Sequence, residues 1–288
     1  MRKHLSTIFL VLVLLVGVGL LVYPTFSDYY NSLHQTRAIA QYVESINRME
    51  AVDYSAVWEE AEEYNRSLIG DLNRFILDLD TPEGMAKQER YNSLLGVAES
   101  GVMGYIEIPK ISVSLPIYHG TDTAVLQVAI GHIEGTSLPT GMIGEHVAVS
   151  GHRGLPSARL FTNLDQLQME DVFSIRVLDR VFTYEVDQIR IVLPNELQDL
   201  DIDPEQTYCT LVTCTPYGIN SHRMLVRGHL IENPEAEVQI RIVADANQIE
   251  PLLVAPVVAA PILLLLLIIL LVSTSGGNKK RKERGVAE

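Results

Sequence analysis

Only two cysteines, Cys209 and Cys214, and a single tryptophan, Trp58, occur in 288 residues. Two thiols exclude a multi-bridge disulfide scaffold. No Cys-x-x-Cys or His-x-x-x-His spacing is present to hold zinc, so no metal and no cofactor are expected. Nor do the two thiols suit each other. Within one strand, five residues span about 16 Å and an odd separation points the side chains to opposite faces, well past the ~7 Å limit for a bridge. At least one thiol is therefore free, and reactivity becomes the question.

Cations are scarce as well, 22 Lys and Arg against 36 Asp and Glu. Seven of those cations lie at the two ends: Arg2, Lys3, Lys279, Lys280, Arg281, Lys282 and Arg284. Setting these aside together with the tail acids Glu283 and Glu288 leaves 15 basic and 34 acidic residues, a formal charge near −19. A domain of that sign repels nucleic acid and anionic head groups. Nucleic-acid binding is excluded.

Charge is missing altogether from Leu5 to Val22 and from Leu252 to Val272. Eighteen residues at ~1.5 Å each span about 27 Å, close to the thickness of a bilayer core. Both runs read as transmembrane helices. Pro256 and Pro261 lie in the second, where neighbouring groups can satisfy the freed carbonyls. The first is read as a retained anchor, because Tyr23-Pro24-Thr25-Phe26 offers no small-x-small cleavage site. Basic flanks at both ends place both termini in the cytoplasm. The intervening segment is then extracytoplasmic.

Between the runs, Asp28–Met49 and Tyr54–Leu72 carry apolar residues at helical spacing. Trp58 reads as a packing anchor, and Leu79–Gly84 as a loop. From Gly104 onward the texture changes to short alternating runs at Tyr105–Ile111, Ser114–His119, Glu145–His152, Val172–Leu178, Phe182–Val192, Thr207–Cys214 and Arg223–Ile231. Seven or eight strands so spaced predict a mainly β, closed or nearly closed barrel. Thr121–Ile130 and Ala158–Leu167 read as short helices, and Glu235–Ile249 as an amphipathic segment returning to the membrane. Asn65-Arg66-Ser67 is formally a glycosylation sequon.

Cys214 ends one predicted strand, before the turn Thr215-Pro216-Tyr217-Gly218. Free cysteine is only a few per cent thiolate at neutral pH, so it needs help to become a nucleophile. Arg223 and Arg227 lie on the next strand and share one face, so alternation leaves both open as the group that stabilises an oxyanion. Among eight histidines, His152 stands out where a strand meets a glycine-flexed turn, Ser150-Gly151-His152-Arg153-Gly154. His132 is a rival that reads as structural, and His222 is a third candidate.

These residues resemble a known family. Thr210-Leu211-Val212-Thr213-Cys214 is similar to the sortase TLxTC signature, and the longer TLVTCTPYGINSHRMLVRG resembles its class C, pilus-building branch. The likeness extends to Gly104–Ile111, Gly131–Gly141 and Ser150–Pro156. It implies an eight-stranded sortase barrel, with His152, Cys214 and Arg223 as the catalytic set and Arg227 as a second possibility for the arginine. It also implies a cysteine transpeptidase that cleaves an LPxTG-like sorting signal, forms a thioester and passes the acyl group to a pilin lysine. The expected partners are pilin or surface-protein substrates and the membrane. A housekeeping sortase using a cell-wall amine, or a non-catalytic adhesin, are the alternatives. One departure concerns the lid of class C enzymes, an Asp-Pro-aromatic triplet over the cysteine. The corresponding Asp78–Met85 lacks it, leaving Asp80 or Met85 to occupy the position.

The expected organisation is a cytoplasmic leader (1–4), a signal-anchor helix (5–22) and a helical collar (23–101) with a possible lid near 78–85. A catalytic barrel (102–235), a connection (236–251), a second span (252–272) and a basic cytoplasmic tail (273–288) follow.

Overall fold

The computed structural model describes residues 2–48, 53–76, 78–96 and 101–232. The second apolar run, the connection before it and the basic tail lie outside the described residues. Asp28–Val238 form one compact unit, and the N-terminal residues to Ser27 belong to another.

Helix α1 runs from Arg2 to Arg48. Its apolar part gives it a mean hydropathy of 2.5 over an 18-residue window, and it is the one helix among the described residues long and apolar enough to cross a membrane. The sequence predicts a break between an anchor ending at Val22 and a separate helix from Asp28. The helix instead continues through Pro24. Proline removes one hydrogen bond and crowds the preceding turn, yet the backbone stays helical across it.

Helices α2 (Ser55–Leu68) and α3 (Pro82–Ser93) follow. The loop expected over Leu79–Gly84 ends at Thr81, whose hydroxyl accepts from the Gly84 N–H at 3.1 Å while Pro82 takes the first helical position. A threonine cap followed by proline is a helix start, because that proline lacks only an N–H that would be unpaired anyway. Helix α2 stops four residues short of the expected Leu72.

Eight strands form the barrel: β1 (Val102–Ile108), β2 (Val113–His119), β3 (Ile130–His132), β4 (Glu145–Ser150), β5 (Val172–Val177), β6 (Arg180–Val192), β7 (Thr207–Thr215) and β8 (His222–Ile231). They close in the order β1-β2-β3-β4-β7-β8-β6-β5. The pairs β2·β3 and β4·β7 are parallel, and the others antiparallel. Three-residue β3 escapes the sequence reading because so short a run carries no alternation. The helix expected over Thr121–Ile130 shrinks to α4 (Thr123–Leu126), since β3 claims its end. Ala158–Leu167 contains only a 3-10 turn at Leu164–Gln166.

Alternate residues fill the barrel: Val147 and Val149 from β4, Cys209 and Leu211 from β7, Met224 and Val226 from β8 all belong to the main core. The collar seals one end. The Trp58 indole donates to Asp179 at 3.0 Å, meets Phe182 edge-on and carries the Arg180 guanidinium over its face. Tyr42 of α1 receives the Leu178 N–H at 2.8 Å and donates to the Met103 carbonyl. Asn65 is buried, donating to the Leu138 carbonyl and accepting its N–H. Its amide is therefore closed to a glycan in the folded chain.

Candidate active site

Strand alternation sorts the side chains around the thiol. Cys209 and Leu211 point inward, so Thr210, Val212 and Cys214 face outward. In the antiparallel β7·β8 ladder, Cys214 is the direct partner of Arg223, and Thr210 that of Arg227. Facing partners hold their Cβ atoms about 4.5–5.5 Å apart, so the Arg223 guanidinium stem rises beside the sulfur. The turn joining them, Pro216–Ser221, follows a cis Thr215–Pro216 bond.

The ambiguity between the two arginines resolves through their partners. Arg227 makes two 2.9 Å bonds to the Asp187 carboxylate and lies 4.0 Å over the Tyr208 ring. Arg223 donates Nη1 to the backbone carbonyls of His222 (3.1 Å) and Asn220 (3.3 Å), and no carboxylate among the described residues pairs with it. Its remaining donors are uncommitted, which suits recognition of a carbonyl oxygen or oxyanion.

His152 reaches the same face from β4. The parallel β4·β7 register sets Ser150 beside Val212. Gly151 extends it, donating its N–H to the Val212 carbonyl (3.0 Å) and receiving the Thr213 hydroxyl on its own carbonyl (2.7 Å). A Cβ on Gly151 would strike Ile130 and Phe161 in the core. Residue 151 thus faces inward, and His152, one step on, emerges on the outer face with Cys214. Burial lowers the His152 pKa below the ordinary imidazole value, favouring the neutral ring.

Two buried histidines serve as struts. His132 is bonded by the Tyr91 hydroxyl (2.8 Å) and the Ser137 carbonyl (2.9 Å), and His146 by the Asp201 carbonyl (2.8 Å) and the Thr210 hydroxyl (2.7 Å). Burial pushes both down to about 4. His222 pairs with Thr215, so alternation turns it to the face of Met224 and Val226, away from Cys214. Its Nδ1 contacts the Ser221 hydroxyl. Both cysteines are free, and burial drives the enclosed Cys209 thiol well above its ordinary pKa. No metal-holding cluster occurs among the described residues.

Sequence reasoning missed an apolar floor beside the thiol. Val212, Leu225 and Val192 form a small cluster with Ile133, separate from the barrel core. Val212 stands two residues before Cys214 and Leu225 two after Arg223, so the strand period already placed apolar side chains on the reactive face. It also missed what crosses that face. Arg74 bonds Asp201 (2.8 Å) and lies over Phe75, and both residues pack on Gly135. The crossing lies near Thr210, because Asp201 also bonds His146, the partner of Thr210. Four residues of strand, about 13 Å, separate Thr210 from Cys214. Asp80 and Met85 are both exposed, Met85 by 53%, and among the described residues neither bonds the thiol.

The barrel that carries these residues is similar to known proteins. Residues 106–231 match the Sortase domain model. The structure is similar to that of sortase C1 from Streptococcus agalactiae, with a TM-score of 0.62 and 46% identity, covering 68% of this chain and 99% of that one. It is similar also to the sortase C1 of GBS pilus island 1, with a TM-score of 0.60 and 35% identity over 71% of this chain and 96% of the other. Sortase D of Bacillus subtilis is 30% identical over 115 residues, 40% of this chain and 55% of its own length. The chain spans about half the length of the curated relatives it matches. With a family model over the barrel and solved sortases covered almost end to end, the chain belongs to the sortase family.

Proposed function

We propose that this protein is a membrane-anchored cysteine transpeptidase with Cys214 as nucleophile, His152 as acid and base, and Arg223 as oxyanion donor. The observation that carries it is the cross-strand pairing of Cys214 with Arg223, whose donors are not spent on a carboxylate. The substrate is an LPxTG-like sorting signal, its apolar residues lying along Val192, Val212 and Leu225.

Neutral His152 takes the thiol proton, and the sulfur attacks the threonine carbonyl. Negative charge develops on that oxygen beside the Arg223 guanidinium. The imidazolium then protonates the glycine nitrogen as the C–N bond breaks, leaving a thioester and a free glycine amine. A lysine amine of a pilin attacks the thioester while neutral His152 takes its proton; the Cys214 thiolate leaves, is reprotonated by the imidazolium, and an isopeptide bond is closed. Similarity to a sortase C1 of a pilus island supports a pilin acceptor. Two membrane spans, with both termini cytoplasmic and residues 102–235 as the catalytic domain outside, hold enzyme and substrate at one surface. That confinement raises their effective concentration.

The test mixes the detergent-solubilised full chain with a pilin bearing its sorting signal, beside a wall-peptide amine, and scores covalent products by mass. The reading expects pilin ladders and a thioester adduct on Cys214, both lost in Cys214→Ala. Product confined to the wall-peptide amine would make it a housekeeping enzyme. An adduct on no residue would remove the transpeptidase.

A further inference from the structure

The residues just behind His152 and Cys214 form a second connection between them, on the inner side of the ladder. Arg153 directly follows the histidine, and Thr215 directly follows the cysteine. The Arg153 Nη1 donates to the Thr215 hydroxyl at 3.4 Å, and its Nη2 pairs with the Asp165 carboxylate. A chain of contacts results, running from His152 through Arg153 and Thr215 to Cys214. One residue further out, Gly154 sits at φ +80°, and a Cβ there would lie 2.7 Å from the Tyr217 ring. Tyr217 belongs to the turn after Cys214, so the two loops meet again over a glycine that no other residue replaces without strain.

Stability alone is a poor reason for this arginine. Its side chain is only 12% exposed, and Nε is buried with no hydrogen-bond partner among the described residues. Burying a guanidinium with part of its donors unpaired costs more than an apolar side chain of similar size. What the arginine supplies is position: it fixes the spacing between the strand ends that carry the reactive groups. Sub-ångström placement of such groups governs rate.

We infer that Arg153, with Asp165 behind it, is a positioning residue that sets the imidazole against the thiol, and that Gly154 under Tyr217 is the second point of the same clamp. The inference rests on the reading of His152 and Cys214 as the reactive pair. It assigns Arg153 no contact with substrate.

Full-length wild type, Cys214→Ala, Arg153→Met, Arg153→Lys and Asp165→Asn are compared. The measurements are kcat and KM for cleavage of a sorting peptide, the pH profile of Cys214 alkylation without substrate, and melting temperature. Arg153→Met is expected to lose on the order of 10–100-fold in kcat with KM nearly unchanged, and to displace the inflection of the alkylation profile. Arg153→Lys should recover part of the rate, and Asp165→Asn should fall between. If Arg153→Met does not fold at the assay temperature, the isosteric Asp165→Asn carries the same test. A folded Arg153→Met, or in its place Asp165→Asn, with wild-type kcat and profile overturns the clamp while Cys214→Ala remains inactive. Activity retained by Cys214→Ala would instead remove the reading beneath it.

Discussion

At Arg223 and Arg227, two side chains of one type on one strand face differ through their neighbours alone. Replacing Arg223 with alanine removes a donor aimed at developing charge, so kcat should drop about 10²–10³-fold with the fold intact, as seen by unchanged melting. Arg227→Ala strands the Asp187 carboxylate, so the main loss should be thermal stability, with kcat within a few-fold of wild type. Equal kinetic losses in both would show that the pairing with Asp187 does not separate their roles. Alternation put both arginines on one face but could not choose, because the deciding carboxylate comes from β6, 40 positions away. The same limit hid Val192 and Ile133 from the floor: each joins it from a different strand or loop. His152 adds a pH signature. Its lowered pKa keeps the imidazole neutral below the usual value, so the acid limb of thiol acylation should fall at a pH below 6.5. An inflection above that value would contradict burial as the controlling influence on His152.

Elements were legible wherever a run was long enough to show its period. Seven strands followed from alternation, whereas β3 and the 3-10 turn are fixed by contacts made elsewhere. Helix α3 announced itself through Thr81-Pro82, a capping signal outweighed in the sequence by the turn-like company of Asp80 and Gly84. Helix α1 shows most clearly what local reading omits. From Leu5 to Val22 it is uncharged and largely apolar, but from Asp28 it becomes part of the unit that holds the barrel. Asn31 donates to the Ser157 carbonyl (2.7 Å), Gln35 to the Val128 carbonyl (2.7 Å), and Asp28 receives the Arg159 N–H (2.9 Å). Ser157 and Arg159 belong to the same connection as His152 and Arg153. Deleting residues through 27 should therefore leave the melting temperature of the unit that begins at Asp28 close to its parent. Deleting through 36 should lower it by several degrees, at roughly 0.5–1.5 kcal/mol for each lost bond. Identical melting of the two truncations would mean the α1 contacts contribute nothing to the fold.

Across the whole molecule, three buried ionisable groups pull against one another. His132 and His146 fall to about 4 through burial, while burial raises Glu145 to about 7 against the hydrogen bonds it receives from Thr140, Gly141 and Met142. Between about pH 4.5 and 6.5 the unfolded chain binds a proton on each histidine that the folded chain refuses. Over the same window the folded chain keeps a proton on Glu145 that the unfolded chain has lost. Among these three groups two protons favour unfolding in acid and one opposes it, a rise of about 1.4 kcal/mol per pH unit; lowered His119 and His152 act in the same direction and raised Glu134 against it. Above 6.5 the histidine contribution is complete and the proton still held by folded Glu145 alone sets the slope, which turns negative until that carboxyl ionises near 7, so the maximum lies near pH 6.5–7. Trp58, the single tryptophan, sits 3% exposed where collar meets barrel and reports the transition by fluorescence. Urea midpoints should climb from pH 5 to 6.5. Glu145→Gln should steepen that climb by removing the opposing proton, whereas a midpoint flat across this range would show that burial does not set these three protonation states.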